Sequence, residues 1–112
     1  MMDFVITEYP QCNLISINGR IDSYTAPMIK SALNALFDDD QFNIIVDMKD
    51  VSYISSSGLL VFVNAQKQLM GQNLGKIIFS GVPELVFSGF QLAGFDQVFI
   101  FCDDPKDAVG RF

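Results

Sequence analysis

Residues 42–63 read FNIIVDMKDVSYISSSGLLVFV, and two different patterns meet inside them. Ile44, Ile45 and Val46 stand in a row, which suits a central strand buried on both faces. Val51-Ser52-Tyr53-Ile54 then leads into Ser55-Ser56-Ser57-Gly58. From there Leu59, Leu60, Phe62, Val63, Leu69 and Met70 recur as on a helix, and the pattern stops near Gly71. A buried strand that feeds a helix through a serine-rich junction predicts strands paired in parallel by helical crossovers.

The flanking sequence extends this alternation. Phe4–Glu8 and Asn13–Ile17 alternate apolar and polar residues across a short connection at Pro10-Gln11, predicting an antiparallel hairpin. After Gly19, Thr25 is placed as a helix N-cap with Pro27 in the first turn. Met28, Ile29, Ala32, Leu33, Leu36 and Phe37 follow at helical spacing up to Asp38-Asp39-Asp40. Beyond Gly71, a strand is expected at Lys76–Phe79, a helix at Pro83–Phe90 and a left-handed terminator at Gly94. A last strand at Gln97–Phe101 and a short helix at Pro105–Phe112 complete the order ββαβαβαβα. The fold class expected is α/β, a mixed sheet packed with about four helices, as one domain over residues 1–112.

Composition excludes several classes. The chain has 112 residues, 50% of them hydrophobic, which is too apolar for an intrinsically disordered protein. Thirteen acidic against seven basic residues give a net charge of −6. Direct nucleic-acid binding is not expected without clustered Lys and Arg. No apolar run exceeds five residues, as in Leu59–Val63, whereas a membrane-spanning helix needs about 20. The first residues show neither a basic segment nor a long apolar one, so no secretory signal is expected and the chain is placed in the cytoplasm. Cys12 and Cys102 have no CxxC spacing, and two buried, reduced thiols are the plainer alternative to one disulfide.

The catalytic motifs are as informative by their absence. With no His, neither a Ser-His-Asp nor a Cys-His arrangement can be built. Gly71-Gln-Asn-Leu-Gly75-Lys76 falls one residue short of a phosphate-binding loop and has Ile77 where Ser or Thr is needed, so it reads as a turn. The run Asp38–Asp40 lacks the alternating ligand spacing of a calcium loop. Asp22, Asp47 and Asp50 have no spacing that demands a catalytic cluster. No catalytic residue, metal or cofactor is expected.

One locus stands out. Among Ser55, Ser56 and Ser57, one hydroxyl serves as the N-cap of the following helix. The same helix terminus projects free N–H groups and partial positive charge, which suits a phosphoryl group. A serine exposed there can accept phosphate without breaking the fold.

Over roughly residues 4–109 the chain resembles the STAS domains typified by bacterial anti-sigma factor antagonists. The resemblance rests on Gly19-Arg-Ile-Asp22-Ser-Tyr-Thr25-Ala26-Pro27, on Ile45-Val46-Asp47-Met-Lys-Asp50-Val51 and on Tyr53-Ile54-Ser55-Ser56-Ser57-Gly58-Leu59. It continues through Gly81-Val82 and Leu92-Ala-Gly94-Phe95-Asp96 to Ile100. The family junction usually reads Asp-Ser-Ser-Gly, with the first serine phosphorylated. Ser55 thus stands at the aspartate, Ser56 at the phosphoacceptor and Ser57 at the second serine, and Ser55 and Ser57 are the alternates because a hydroxyl replaces the carboxylate.

The resemblance implies a non-enzymatic regulator that works by partner switching. Its partners are an anti-sigma factor with serine kinase activity and a serine phosphatase. The expected contact surface comprises Asp22, Ser23, Thr25, Ser55, Ser57 and Gly58, with Asn64, Lys67 and Gln68 on a helix face that a solvated surface explains equally well. The 11 Phe residues are expected to be mostly core, with an exposed patch at Phe87, Phe90 and Phe95, for a weak homodimer or another partner, as the lesser alternative. The alternative roles are an accessory subunit of an ABC-type lipid transporter and a stressosome-type scaffold.

Overall fold

The computed structural model describes residues 1–112. Its elements are β1 (Met2–Glu8), β2 (Asn13–Ile21), α1 (Ala26–Asp38), β3 (Asn43–Ile54), α2 (Ser56–Gly71), β4 (Lys76–Ser80), α3 (Glu84–Leu92), β5 (Ile100–Cys102) and α4 (Pro105–Val109). The five strands form one sheet in the order β1-β2-β3-β4-β5. β1 and β2 are antiparallel, and β2 to β5 run parallel. The expected mixed sheet and element order are both present.

The apolar triplet in β3 explains the layering. Ile44, Ile45 and Val46 are all fully buried, because helices cover both faces of the sheet at that level. Ile44 and Val46 join Ile77, Phe79 and residues of α1, α2 and α3 in the main core. Ile45 and Ile78 point the other way, onto Leu14, Cys12 and Ala108 of α4. This is the period-two alternation of a strand with both faces covered. Helices α1, α2 and α3 therefore share one face, and α4 closes part of the other.

Phe79 anchors the main core. Its ring meets those of Phe62, Phe90 and Phe99 edge to face, with centroids 5.1, 5.1 and 4.9 Å away, and stacks on Phe101 at 5.7 Å. This cluster makes the phenylalanines mostly core, and the lesser alternative of an exposed patch at Phe87, Phe90 and Phe95 is not present. Phe90 is fully buried, Phe87 packs on Phe101 at 5.0 Å, and Phe95 is partly buried against the core. The apolar residues left exposed on α3 are Leu85 and Leu92.

Three smaller differences have local causes. The last strand starts at Ile100 rather than Gln97, because residues 95–98 turn after Gly94, with Val98 N–H donating to the Phe95 carbonyl at 3.1 Å. Gly94 adopts φ +78°, the left-handed terminator expected there. The final helix stops at Val109, with Gly110 as its C-cap. Cys12 is buried and its thiol pKa is raised by that burial, while Cys102 is half-buried and both thiols are free.

Across the face opposite α1–α3, Ser16, Asp47, Ser80 and Cys102 align in register on four adjacent strands. The Ser80 hydroxyl in this row is fully buried and has no hydrogen-bond partner. Burying an unpaired hydroxyl costs about 1–3 kcal/mol. Ser80→Ala is thus expected to hold or raise stability, by about 1 kcal/mol, whereas Phe79→Ala is expected to cost about 3–5 kcal/mol. Urea unfolding of the two neighbours checks the contrast, and a destabilised Ser80→Ala would show that the hydroxyl is in fact paired.

Candidate functional site

The site assembles where β2 and β3 end side by side. Their parallel register pairs Arg20 with Tyr53 and Ile21 with Ile54. Ser55 N–H then donates to the Ile21 carbonyl at 2.8 Å, carrying the ladder one step past the last strand residue. The loop leading into α1 and the junction leading into α2 are thereby held against each other. Residues 22–25 and 55–58, at least 30 positions apart in the chain, become neighbours.

At the α2 junction the three serines divide their duties. Ser55 is extended, with φ −85° and ψ 170°, and its Oγ accepts from Gly58 N–H at 3.1 Å, making it the N-cap. Ser57 Oγ lies 2.8 Å from Ser55 Oγ, so those two hydroxyls form one hydrogen-bonded pair. Both residues are half-buried, whereas Ser56 is exposed and stands outside the pair. The first turn of α2 contains no acidic residue, so nothing there offsets the positive end of the helix dipole.

Gly58 fixes how closely the junction can approach β2. A Cβ at this position would lie 2.7 Å from Ile21 Cγ2 and 3.0 Å from Ile54 Cγ1. Only a residue without a side chain lets the first turn of α2 settle on these two strand ends.

The α1 loop corrects the role expected of Thr25. Its hydroxyl makes no cap bond into α1. Instead it turns backward, accepting from Asp22 N–H at 2.8 Å and donating to the Arg20 carbonyl at 2.8 Å. Asp22 Oδ1 reciprocates by accepting from Tyr24 N–H at 2.9 Å and Thr25 N–H at 3.1 Å. This exchange is a capping box shifted three residues upstream, with Asp22 in the capping role. Thr25 itself has helical dihedrals, φ −95° and ψ −23°, rather than the extended ones of a capping residue.

Asp22 is held below the ordinary carboxylate pKa. The Thr25 backbone N–H is the main cause; desolvation, the next largest effect, opposes it, and the Tyr24 N–H, the Thr25 hydroxyl and the charge of Arg20 add to the lowering. Ser23 and Tyr24 project from this loop into solvent. Arg20 is turned aside, its guanidinium 4.3 Å from the centre of the Tyr53 ring.

The expected contact residues do not all share one surface. Asp22, Ser23, Thr25, Ser55, Ser56, Ser57 and Gly58 gather at the paired strand ends. Asn64 lies further along α2, where it and Ser57 line a groove shared with Lys30 and Asn34 of α1. Lys67 is exposed on the same helix but is not part of that groove lining. The sequence reading missed the contribution of α1; its signal was the absence of acidic residues between Ala26 and Phe37.

Comparison with known proteins agrees with this architecture. The sequence matches the family model of the STAS domain over residues 3–108. It is 34% identical over 84 residues to the anti-sigma-B factor antagonist of Listeria monocytogenes, covering 75% of this chain and 73% of that protein. The fold superposes on an anti-sigma factor antagonist from Mycobacterium paratuberculosis with a TM-score of 0.85, at 21% identity and covering 99% of this chain and 93% of the other. It also superposes on the Bacillus cell fate determinant SpoIIAA in its phosphorylated form, with a TM-score of 0.77, at 18% identity and covering 97% and 98% of the two chains.

Two substitutions test the geometry. Gly58→Ala is expected to cost about 1–3 kcal/mol through overpacking against Ile21 and Ile54, measured by chemical denaturation. Asp22→Asn is expected to lower the melting temperature at pH 7. Because the folded-state pKa of Asp22 is depressed, its stabilisation is present above the unfolded carboxylate pKa of about 3.9 and fades as pH falls through the lower folded value. The gap between Asp22→Asn and the parent protein should therefore close on acidification; a gap independent of pH would show that the charge of Asp22 is immaterial.

Proposed function

The chain belongs to the STAS-domain family, and we propose that it is an anti-sigma factor antagonist switched by phosphorylation of Ser56. In this reading it binds an anti-sigma factor that is also a serine kinase, and so frees the sigma factor for transcription. Phosphate on Ser56 breaks the complex, and a serine phosphatase restores it. The chain acts by binding, in the cytoplasm, and its part in the phosphoryl transfer is to offer a hydroxyl.

The observation that carries the reading is the division among the three serines. Ser55 is committed to capping α2 and Ser57 to Ser55, leaving Ser56 as the exposed hydroxyl at the helix N-terminus. Resemblance to the Listeria antagonist supports the partner class. The phosphorylated Bacillus neighbour supports the compatibility of this fold with a phosphoryl group.

Magnitudes favour a switch at the interface over a switch in the fold. Phosphorylation adds about −1.5 to −2 charges. Placed at the start of α2, that charge gains about 0.3–1 kcal/mol from the helix dipole, so the domain itself survives. Facing one negative group of a partner at about 6 Å, with an effective dielectric of about 20, each unit charge costs about 3 kcal/mol. The interface term is larger and corresponds to roughly a hundredfold in affinity.

Calorimetric titration against the anti-sigma factor of the source organism tests this proposal. Ser56→Ala is expected to bind like the parent, and Ser56→Glu at least tenfold more weakly with a melting temperature within a few degrees. Phosphopeptide mapping after incubation with that kinase and ATP should place the phosphate on Ser56. Phosphate on Ser55 or Ser57, or unfolding of Ser56→Glu, would overturn the assignment. Copurification with an ABC transporter or within a large multimeric particle, without anti-sigma factor binding, would replace the function.

A further inference from the structure

Helices α1 and α2 lie side by side on the sheet and leave a groove of about 270 Å³ between them. Its floor is apolar, made by Leu33, Phe37 and the half-exposed Leu60. Its rim carries the amides of Asn34, Asn64 and Gln68, which can donate and accept hydrogen bonds. From Ser57 to Gln68 the groove follows α2 for 11 residue steps, or about 16 Å at 1.5 Å per residue. That is three helical turns.

The charge of this face is opposite to that of the molecule. The chain carries 13 acidic residues, yet none lies between Ala26 and Phe37 or between Ser56 and Gly71. The charged groups on those two stretches are Lys30 and Lys67, both exposed. Lys30 lines the groove. Lys67 follows Leu60 by seven residues, which places the two on the same side of α2. Carboxylates resume only at the ends: Asp22 is hydrogen-bonded into its own loop, and Asp38, the last residue of α1, with Asp39 and Asp40 closes the far end. A protein of net charge −6 thus presents one apolar groove bordered by cations and amides.

We infer that the α1–α2 groove receives an acidic amphipathic helix of about three turns from a partner protein, with its apolar side chains on Leu33, Phe37 and Leu60 and its carboxylates beside Lys30 and Lys67. The inference rests on the reading that a protein partner docks beside Ser56, and it specifies the chemistry of that partner. Ser57 forms one end of the groove and is the neighbour of Ser56. A phosphate on Ser56 therefore enters the field of the carboxylates that the groove attracts, which is the repulsion the switch requires.

The test uses the full chain and two synthetic 12-residue amphipathic peptides, one built from Leu and Glu and the other from Leu and Lys. Backbone amide shifts are followed in ¹⁵N-labelled protein. The Leu/Glu peptide is expected to move the amides of residues 30–37 and 57–68, and the Leu/Lys peptide to leave them in place. Lys30→Glu combined with Lys67→Glu should weaken the Leu/Glu peptide at least tenfold while circular dichroism stays unchanged, and Leu60→Asp should do the same. Equal movement by both peptides, shifts confined to another surface, or indifference to the charge reversals would overturn the inference. These outcomes do not involve the anti-sigma factor, so they are distinguishable from a failure of the proposed function. If the factor binds with full affinity to the Lys30→Glu, Lys67→Glu protein, the groove assignment falls and the antagonist reading stands.

Discussion

The hydrogen bond from Ser55 N–H to the Ile21 carbonyl is the constraint on which the site depends. Parallel pairing of β2 with β3 brings their carboxyl ends level, and this bond extends the pairing into the first residue that is no longer strand. Two crossover loops that would otherwise wander independently leave the sheet in contact. Gly58 lets α2 begin immediately above Ile21 and Ile54, and the Asp22–Thr25 exchange stiffens the other loop without borrowing anything from α2. The site is therefore a product of sheet register, in which each loop is ordered by its own hydrogen bonds and then positioned by a shared strand pair.

Much of this was legible in the sequence because the strongest patterns reflect the largest energies. Three consecutive β-branched residues in β3 report burial on two faces, and the apolar spacing after Ser55 reports a helix on a sheet. The N-cap at the α2 junction was legible too, since serine before a helix has one dominant use. The start of α1 was misjudged because a capping residue is conventionally sought next to the first helical residue. Here the Thr25 hydroxyl is taken up by Asp22 N–H and the Arg20 carbonyl, so the Asp22–Thr25 exchange orders the preceding turn and α1 begins without a side-chain cap. The groove between α1 and α2 was illegible as a shape, because it depends on how far two helices stand apart, although the charge segregation that accompanies it is written in the sequence.

A neutral hydroxyl rather than a carboxylate caps α2 at position 55. A carboxylate cap would engage the helix N-terminus with charge-assisted bonds, which are stronger than neutral ones. Ser55 instead pairs its hydroxyl with that of Ser57 at 2.8 Å. The arrangement keeps the exposed serine between two engaged neighbours, so local geometry discriminates among three chemically identical groups. Of the three hydroxyls, only that of Ser56 is exposed, at a helix end whose first turn carries no acidic residue.

The neutral cap also fixes what the junction can sense. A carboxylate capping α2 could be protonated and released in an acidic environment, loosening the turn that presents Ser56. The Ser55–Ser57 pair has no proton equilibrium anywhere near neutrality, and the one carboxylate at its side, Asp22, has been pushed further from it. The cap of α2 is consequently insensitive to changes of acidity near neutrality.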